Sequence, residues 1–205
     1  HSTRLSRFDY LFGRFTGALF AGCLLFLSAP LGMILGAAMP WLDPEVLGPF
    51  NPWHYAYVYL LLCVPTLFVT GAGFFAIATA TRSMMWTYVG VIVFLVLYLV
   101  ATSFLSRPEF INTVALVDPF GLGAYDQATR YWTATERNTQ IPDFSGYILW
   151  NRALWTAIAF ALLGLAWVIY SRAARGSRMT VAKAPDQTDD LLAEAIAHPV
   201  ATPAV

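Results

Sequence analysis

The sequence predicts an all-α fold: a polytopic membrane helix bundle of four transmembrane helices with a short external helical loop. Three observations lead there. Phe15 to Leu42, Val46 to Thr81, Ser83 to Ser106 and Ala153 to Ser171 contain no Asp, Glu, Lys or Arg, and together they make up about half of the chain. Charged residues are 12% of the sequence and apolar ones 58%, about half the charge of an ordinary soluble domain. A hydrocarbon core of ~30 Å takes about 20 apolar helical residues to cross, and the four stretches supply them. A very apolar soluble helical domain is the competing reading, but it has nowhere to hide four such runs at once.

The chain opens with Ser6-Arg7-Phe8-Asp9, which reads as a helix start with Ser6 capping and Asp9 at the third helical position. Phe8, Leu11, Phe12 and Phe15 then share one face, with Arg7 and Arg14 on another. Residues 1–14 are therefore expected to form a short amphipathic cytoplasmic segment running into the first span. The spans are expected at about 15–39, 56–81, 84–106 and 153–171. Pro30 and Pro65 fall inside the first two and should kink them. Gly32 and Gly36 form a GxxxG pair, and Ala72, Ala76 and Ala80 recur every four residues. Such small-residue faces let helices approach closely, with packing inside the subunit expected. Val89 to Val100 is the most apolar run. Ser28, Thr66, Thr70 and Thr87 are expected to bond to carbonyls of their own helices.

The loop at 107–152 is too long and too periodic to be plain loop. Asp118-Pro119 is expected to start a helix, with Leu122, Tyr125, Thr129 and Trp132 following at helical spacing. One or two short helices on the outer leaflet are expected. From Arg172 the composition changes, so 172–205 reads as a flexible cytoplasmic tail or linker, with a helical turn or two near Asp190 to His198.

Basic residues orient the spans. Arg4, Arg7 and Arg14 precede the first, Arg82 separates the second from the third, and Arg172, Arg175, Arg178 and Lys183 follow the fourth. The positive-inside rule places both ends and the Arg82 turn in the cytoplasm. Trp41, Trp53, Tyr55, Tyr57, Trp150 and Trp155 mark the outer interface; Trp86, Tyr88, Trp167 and Tyr170 mark the inner one. His54, among these aromatics, is an anchor rather than a metal ligand.

Chemistry-bearing motifs are missing. The sequence contains no HExxH, GxSxG, CxxC or GxxxxGK[ST]. The spans carry no carboxylate, Lys or Arg for a proton relay. Cys23 and Cys63, each inside an apolar run, read as free thiols. No enzyme activity, cofactor or metal is expected, and the zero net charge gives no sign of a nucleic-acid partner.

Two segments are distinctive. STRLSRFDYLFGRFTGAL (Ser2 to Leu19) resembles a stretch of ABC-type transporter permeases of the type-2, exporter-like class, departing from it by Arg4 where the pattern usually has Pro. VDPFGLGAYDQATRYWTATERNT (Val117 to Thr139), with LWNRALW at Leu149 to Trp155, resembles a bacterial subgroup whose long members are fused to a zinc aminopeptidase-like domain. The resemblance spans Ser2 to Tyr170. It implies that these spans are the third to sixth helices of a six-helix permease half and that the chain is a fragment, with His1 starting inside a loop. It implies a bacterial inner (plasma) membrane location, a separate ATP-binding-cassette ATPase subunit, and a second permease half or homodimer partner. The ATPase would press on Ser6, Arg7, Phe8, Asp9, Tyr10, Leu11 and Arg14. Arg7 and Arg14 would offer charge-assisted bonds, and Phe8, Leu11 and Phe12 would anchor the element. None of the peptidase's zinc motif lies in the chain. Two rival functions are a membrane anchor or scaffold for a partner such as a peptidase, and an intramembrane enzyme; the latter lacks a nucleophile–base pair.

Overall fold

A computed structural model describes residues 6–41, 50–105 and 108–183. The first five residues of the amphipathic segment, most of the first outer loop, and the tail from 184 on, with the turn expected near Asp190, lie outside the described residues. Among the described residues there is no strand. The helices are α1 (Arg7–Ala37), α2 (Pro52–Val58), α3 (Val64–Thr81), α4 (Met84–Leu105), α5 (Ile111–Val117), α6 (Leu122–Thr129), α7 (Ala134–Thr139) and α8 (Gly146–Lys183). A π-helical turn, Tyr59–Cys63, joins α2 to α3, and a 3₁₀ turn, Pro108–Phe110, precedes α5.

Three helical stretches are long and apolar enough to cross a bilayer: Arg7–Ala37, the continuous Pro52–Thr81 and Gly146–Ala173. In α4 a shorter apolar stretch, Met84–Val100, stands beside them. The most apolar window of α1 has no buried residue at all. Leu25 is 70% exposed and Phe20 66%, a surface that belongs in hydrocarbon and that a soluble monomer rarely shows. This is an all-helical protein with the make-up of a multi-pass membrane protein.

The largest helix pairing is α3 against α8. The two run parallel, since Phe68 meets Phe160 and Val69 and Ala72 share a core with Ala159 and Leu163. Ala72, Ala159 and Ala166 are completely buried. Methyl-sized side chains on both helices bring the backbones close, which is how packing is gained where lipid tails compete equally for apolar surface. α1 crosses this pair antiparallel. Phe15 packs on Phe68 and Phe75, Phe8 on Trp167, and Cys23 O accepts from the Tyr59 hydroxyl at 2.6 Å. α4 returns alongside α3, with Gly90 under Ile77 and Phe74 edge-on to Phe94. The start of α1, the α3–α4 turn and the late turns of α8 thus share one end of the bundle. Arg82 closes α3 there at φ 52, a left-handed conformation that terminates a helix sharply.

Several expectations change on contact with the fold. The small residues of α3 do pack, through Ala72 and Ala76, but among the described residues nothing packs on the GxxxG pair. A Cβ added at Gly32 or Gly36 would meet nothing within 4 Å. Periodicity shows that a face is smooth, not which helix lies on it. Pro65 is accommodated by the π-helical turn just before it, because proline lacks a donor and its ring crowds the carbonyl four residues back. Ser28 and Thr70 bond to their own helices, to Leu25 O and Thr66 O. Thr66 instead donates to Phe120 O of the external loop at 3.4 Å, and the Thr87 hydroxyl has no partner among the described residues. The external loop holds three short helices. Asp118 ends α5 rather than starting a helix, and α6 starts at Leu122. Helix α8 does not stop at Ser171; its backbone continues to Lys183.

Candidate functional site

The N-terminal segment is the first candidate. The Ser6 hydroxyl accepts from the Asp9 N–H at 3.1 Å and donates to the Asp9 carboxylate at 2.6 Å, so the first turn of α1 is capped by its own side chains. One face then turns inward. Leu11 and Phe15 are buried, while Phe8 stacks on Phe12 with centroids 4.2 Å apart and edge-on to Trp167 at 5.5 Å. The other face turns out. Ser6, Asp9, Tyr10 and Arg14 are exposed and Arg7 half-buried. Arg14 donates to the Tyr10 hydroxyl at 3.1 Å and lies over its ring at 5.7 Å, which holds the guanidinium in place through charge–quadrupole attraction. Of the residues named from the sequence, Ser6 and Asp9 come together, as do Tyr10 and Arg14. Arg7 stands apart from both pairs, and Leu11 belongs to the packed interior.

A second, polar constellation sits at the opposite end of the bundle, where the external helices meet α3 and α8. The Asp118 carboxylate accepts from the Phe120 N–H at 2.9 Å and the Gly123 N–H at 2.8 Å, folding the α5–α6 turn around itself. Asn151, fully buried, donates to the carbonyls of Ala115 (2.8 Å), Leu116 (3.0 Å) and Asp118 (2.8 Å). These are carbonyls at the end of α5 that its own ladder leaves open. Its Oδ1 accepts from Arg152 Nε at 3.0 Å and Nη2 at 2.6 Å. Arg152 also reaches Pro119 O and the Thr66 hydroxyl, at 3.3 and 3.4 Å. Its hydrogen bonds therefore go to amide, peptide and hydroxyl oxygens rather than to a carboxylate. Gly121, at φ +74, lets the turn lie against this guanidinium; a Cβ there would collide with Nη2. Trp155 Nε1 donates to Leu116 O at 3.2 Å, and Phe120 packs on Tyr98 of α4 at 4.5 Å.

In the sequence Asn151 and Arg152 stand out only as part of the LWNRALW string, with no role of their own. The available signal was an Asn-Arg pair between two tryptophans at the head of an apolar run. Such a pair must find partners if that end is buried. Farther out, α7 carries a reciprocal capping box. Glu136 accepts from the Thr133 N–H at 2.7 Å and from its hydroxyl at 2.8 Å. Those donors, the backbone one first, hold the Glu136 carboxyl below its ordinary value.

An apolar cavity of about 590 Å³ lies between α4 and α5, walled by Phe94, Leu97, Tyr98, Val114, Val117 and Trp155. Cys23 and Cys63 are free and half-buried. Among the described residues no group of His, Cys, Asp and Glu is placed to hold a metal ion. Comparison with family models, curated proteins and solved structures finds no match to this chain.

Proposed function

We propose that this chain is the membrane-spanning permease part of an ATP-binding-cassette transporter, driven by ATP hydrolysis on a separate subunit. In this reading α4 is a fourth span, and the four spans correspond to the third to sixth helices of a permease half. Both ends face the cytoplasm of a bacterial inner membrane. A second permease half or a second copy of the chain completes the pathway. The reading is supported by the sequence resemblance at Ser2 to Leu19 and Val117 to Thr139 and by one geometric observation.

That observation is the way α1 begins. Its 31 residues make a rod of about 46 Å at 1.5 Å per residue, roughly ten residues more than a ~30 Å hydrocarbon core requires. The surplus is the segment with a polar, exposed outer face and an aromatic inner face braced on Trp167 of α8. A force applied to Ser6, Asp9, Tyr10 and Arg14 is delivered to two spans at once, through an unbroken helix and through the Phe8–Phe12–Trp167 stack. A partner ATPase with an acidic groove would take Arg7 and Arg14 by charge-assisted bonds.

The test is co-purification of the chain with the ATPase encoded beside it, and measurement of that ATPase in vesicles. Arg7→Glu with Arg14→Glu should abolish co-purification while leaving expression normal. Undiminished assembly and transport in the double variant would remove this segment as the contact.

A further inference from the structure

Below the polar constellation, α8 and the α2–α3 unit leave an open groove of about 530 Å³. Its lining includes Leu61, Pro65, Phe144, Arg152, Ala157 and Phe160. Arg152 is the one charged side chain among the lining residues and is 5% exposed. A guanidinium has five N–H donors, and the four hydrogen bonds found here leave one Nη1 N–H without an acceptor among the described residues. The groove thus has a cation at one end and, apart from Thr156, apolar side chains along the rest. Ala153, Ala157 and Phe160 follow Arg152 down one face of α8 at helical spacing.

We propose that this groove seats an anionic phospholipid, with its phosphate on Arg152 and an acyl chain lying along Ala157 and Phe160. The depth fits such an occupant. Arg152 lies between Trp150 and Trp155, at the level where indole rings settle among headgroups. From Arg152 to Phe160 the helix descends about 12 Å, most of one leaflet of a ~30 Å core. The chemistry fits as well. Arg152 makes its direct hydrogen bonds only to neutral oxygens, with the nearby Asp118 carboxylate acting on it at longer range. An anion placed on its open Nη1 N–H would further offset the cost of burying the charge. The proposal rests on the membrane reading alone and stands whether or not the protein transports anything.

Native mass spectrometry of the purified full chain in detergent tests it, using phosphatidylglycerol, phosphatidylcholine of the same chains, and oleate as probes. One phosphatidylglycerol should be retained over phosphatidylcholine by roughly fivefold, the effect of about one charge contact. Arg152→Gln should erase that preference. Because Arg152 also braces the external loop, Ala157→Phe is the second variant: it fills the groove from an exposed position without touching the guanidinium. It should cut retention by a similar factor with the melting temperature unchanged. Equal retention of the two phospholipids would overturn the proposal, as would a preference that survives Ala157→Phe. Oleate binding with no phospholipid preference would assign the groove to a free carboxylate and overturn it too.

Discussion

At the scale of single residues, the chain's polar side chains do their work at the two ends of the bundle and almost nowhere between. Asn151 satisfies three peptide carbonyls with one amide and presents its own oxygen to Arg152. Replacing it with Leu, which has the same branched skeleton, strands the Ala115 carbonyl and takes away two of the guanidinium's four hydrogen bonds. Leu116 O keeps Trp155 Nε1, and Asp118 O keeps the Gly121 N–H. Each orphaned group costs about 1–3 kcal/mol, so Asn151→Leu should lower stability by at least about 2 kcal/mol, read as a fall in thermal midpoint in detergent. Gly121→Ala should be worse than its size suggests. The left-handed backbone alone costs about 1–2 kcal/mol for a residue with a Cβ, and the added atom would collide with Arg152. A Gly121→Ala protein with unchanged midpoint would show that the turn is not held against the guanidinium. Glu136 adds a pH signature. Its carboxyl is held below the ordinary value when folded, so the stabilisation is complete above that ordinary value and disappears as pH falls through the folded one. Hydrogen exchange at the α7 amides should therefore be protected at neutral pH and lose protection as pH falls below the ordinary carboxylate range. Thr133→Ala, which keeps the backbone donor, should remove only the smaller, hydroxyl part of that dependence.

At the scale of elements, the α3–α8 seam is the part most sensitive to bulk. Ala72 and Ala159 have no exposed surface, and forcing larger groups into a tight contact costs about 1–3 kcal/mol. Ala72→Leu should separate the two helices and lower the thermal midpoint, whereas Gly32→Leu on the bare face of α1 should leave it unchanged. The apolar stretches of α1, α3 and α8, the Ser6 cap and the burial of Ala72 and Ala76 were legible in the sequence, because length, charge and small-residue spacing are local properties. The π-helical turn before Pro65 was not, since proline announces a disturbance without saying how the helix absorbs it. Nor was the Asp118–Asn151–Arg152 arrangement. It joins residues more than thirty positions apart, and its parts look like ordinary loop chemistry until α5 and α8 are side by side. Of the N-terminal candidates, the sequence found the segment but could not tell that Leu11 faces inward while Arg14 leans on Tyr10.

At the scale of the whole molecule, helix directions make a claim that labelling can check. The start of α1 and the Arg82 turn share one end of the bundle, and α7 lies beyond the other. In sealed vesicles of a cysteine-free background, Ser6→Cys and Ser83→Cys should react with an impermeant thiol reagent from the same side, and Thr135→Cys only from the opposite one. Labelling of all three from one side would rule out the four-span arrangement proposed above. Trp167 ties this topology to mechanics, because it is where the first helix leans on the last. If the proposed transporter reading holds, Trp167→Ala should leave co-purification with an ATPase subunit intact while uncoupling its hydrolysis from transport.

The turn at Tyr59–Cys63 has one more implication. An extra residue in a helical turn offsets everything beyond it by about 100° around the axis relative to an unbroken α-helix. That offset lets one continuous rod show alanines to α8 at its lower end, while its upper end aims Tyr59 at Cys23 O and Tyr57 at Pro142 O. Removing a single residue there would return the turn to α geometry, set the Pro65 ring against the carbonyl four residues back, and swing both phenols away from their acceptors. The alanine contact below would be untouched, so the lower bundle would hold while its lid came unfastened.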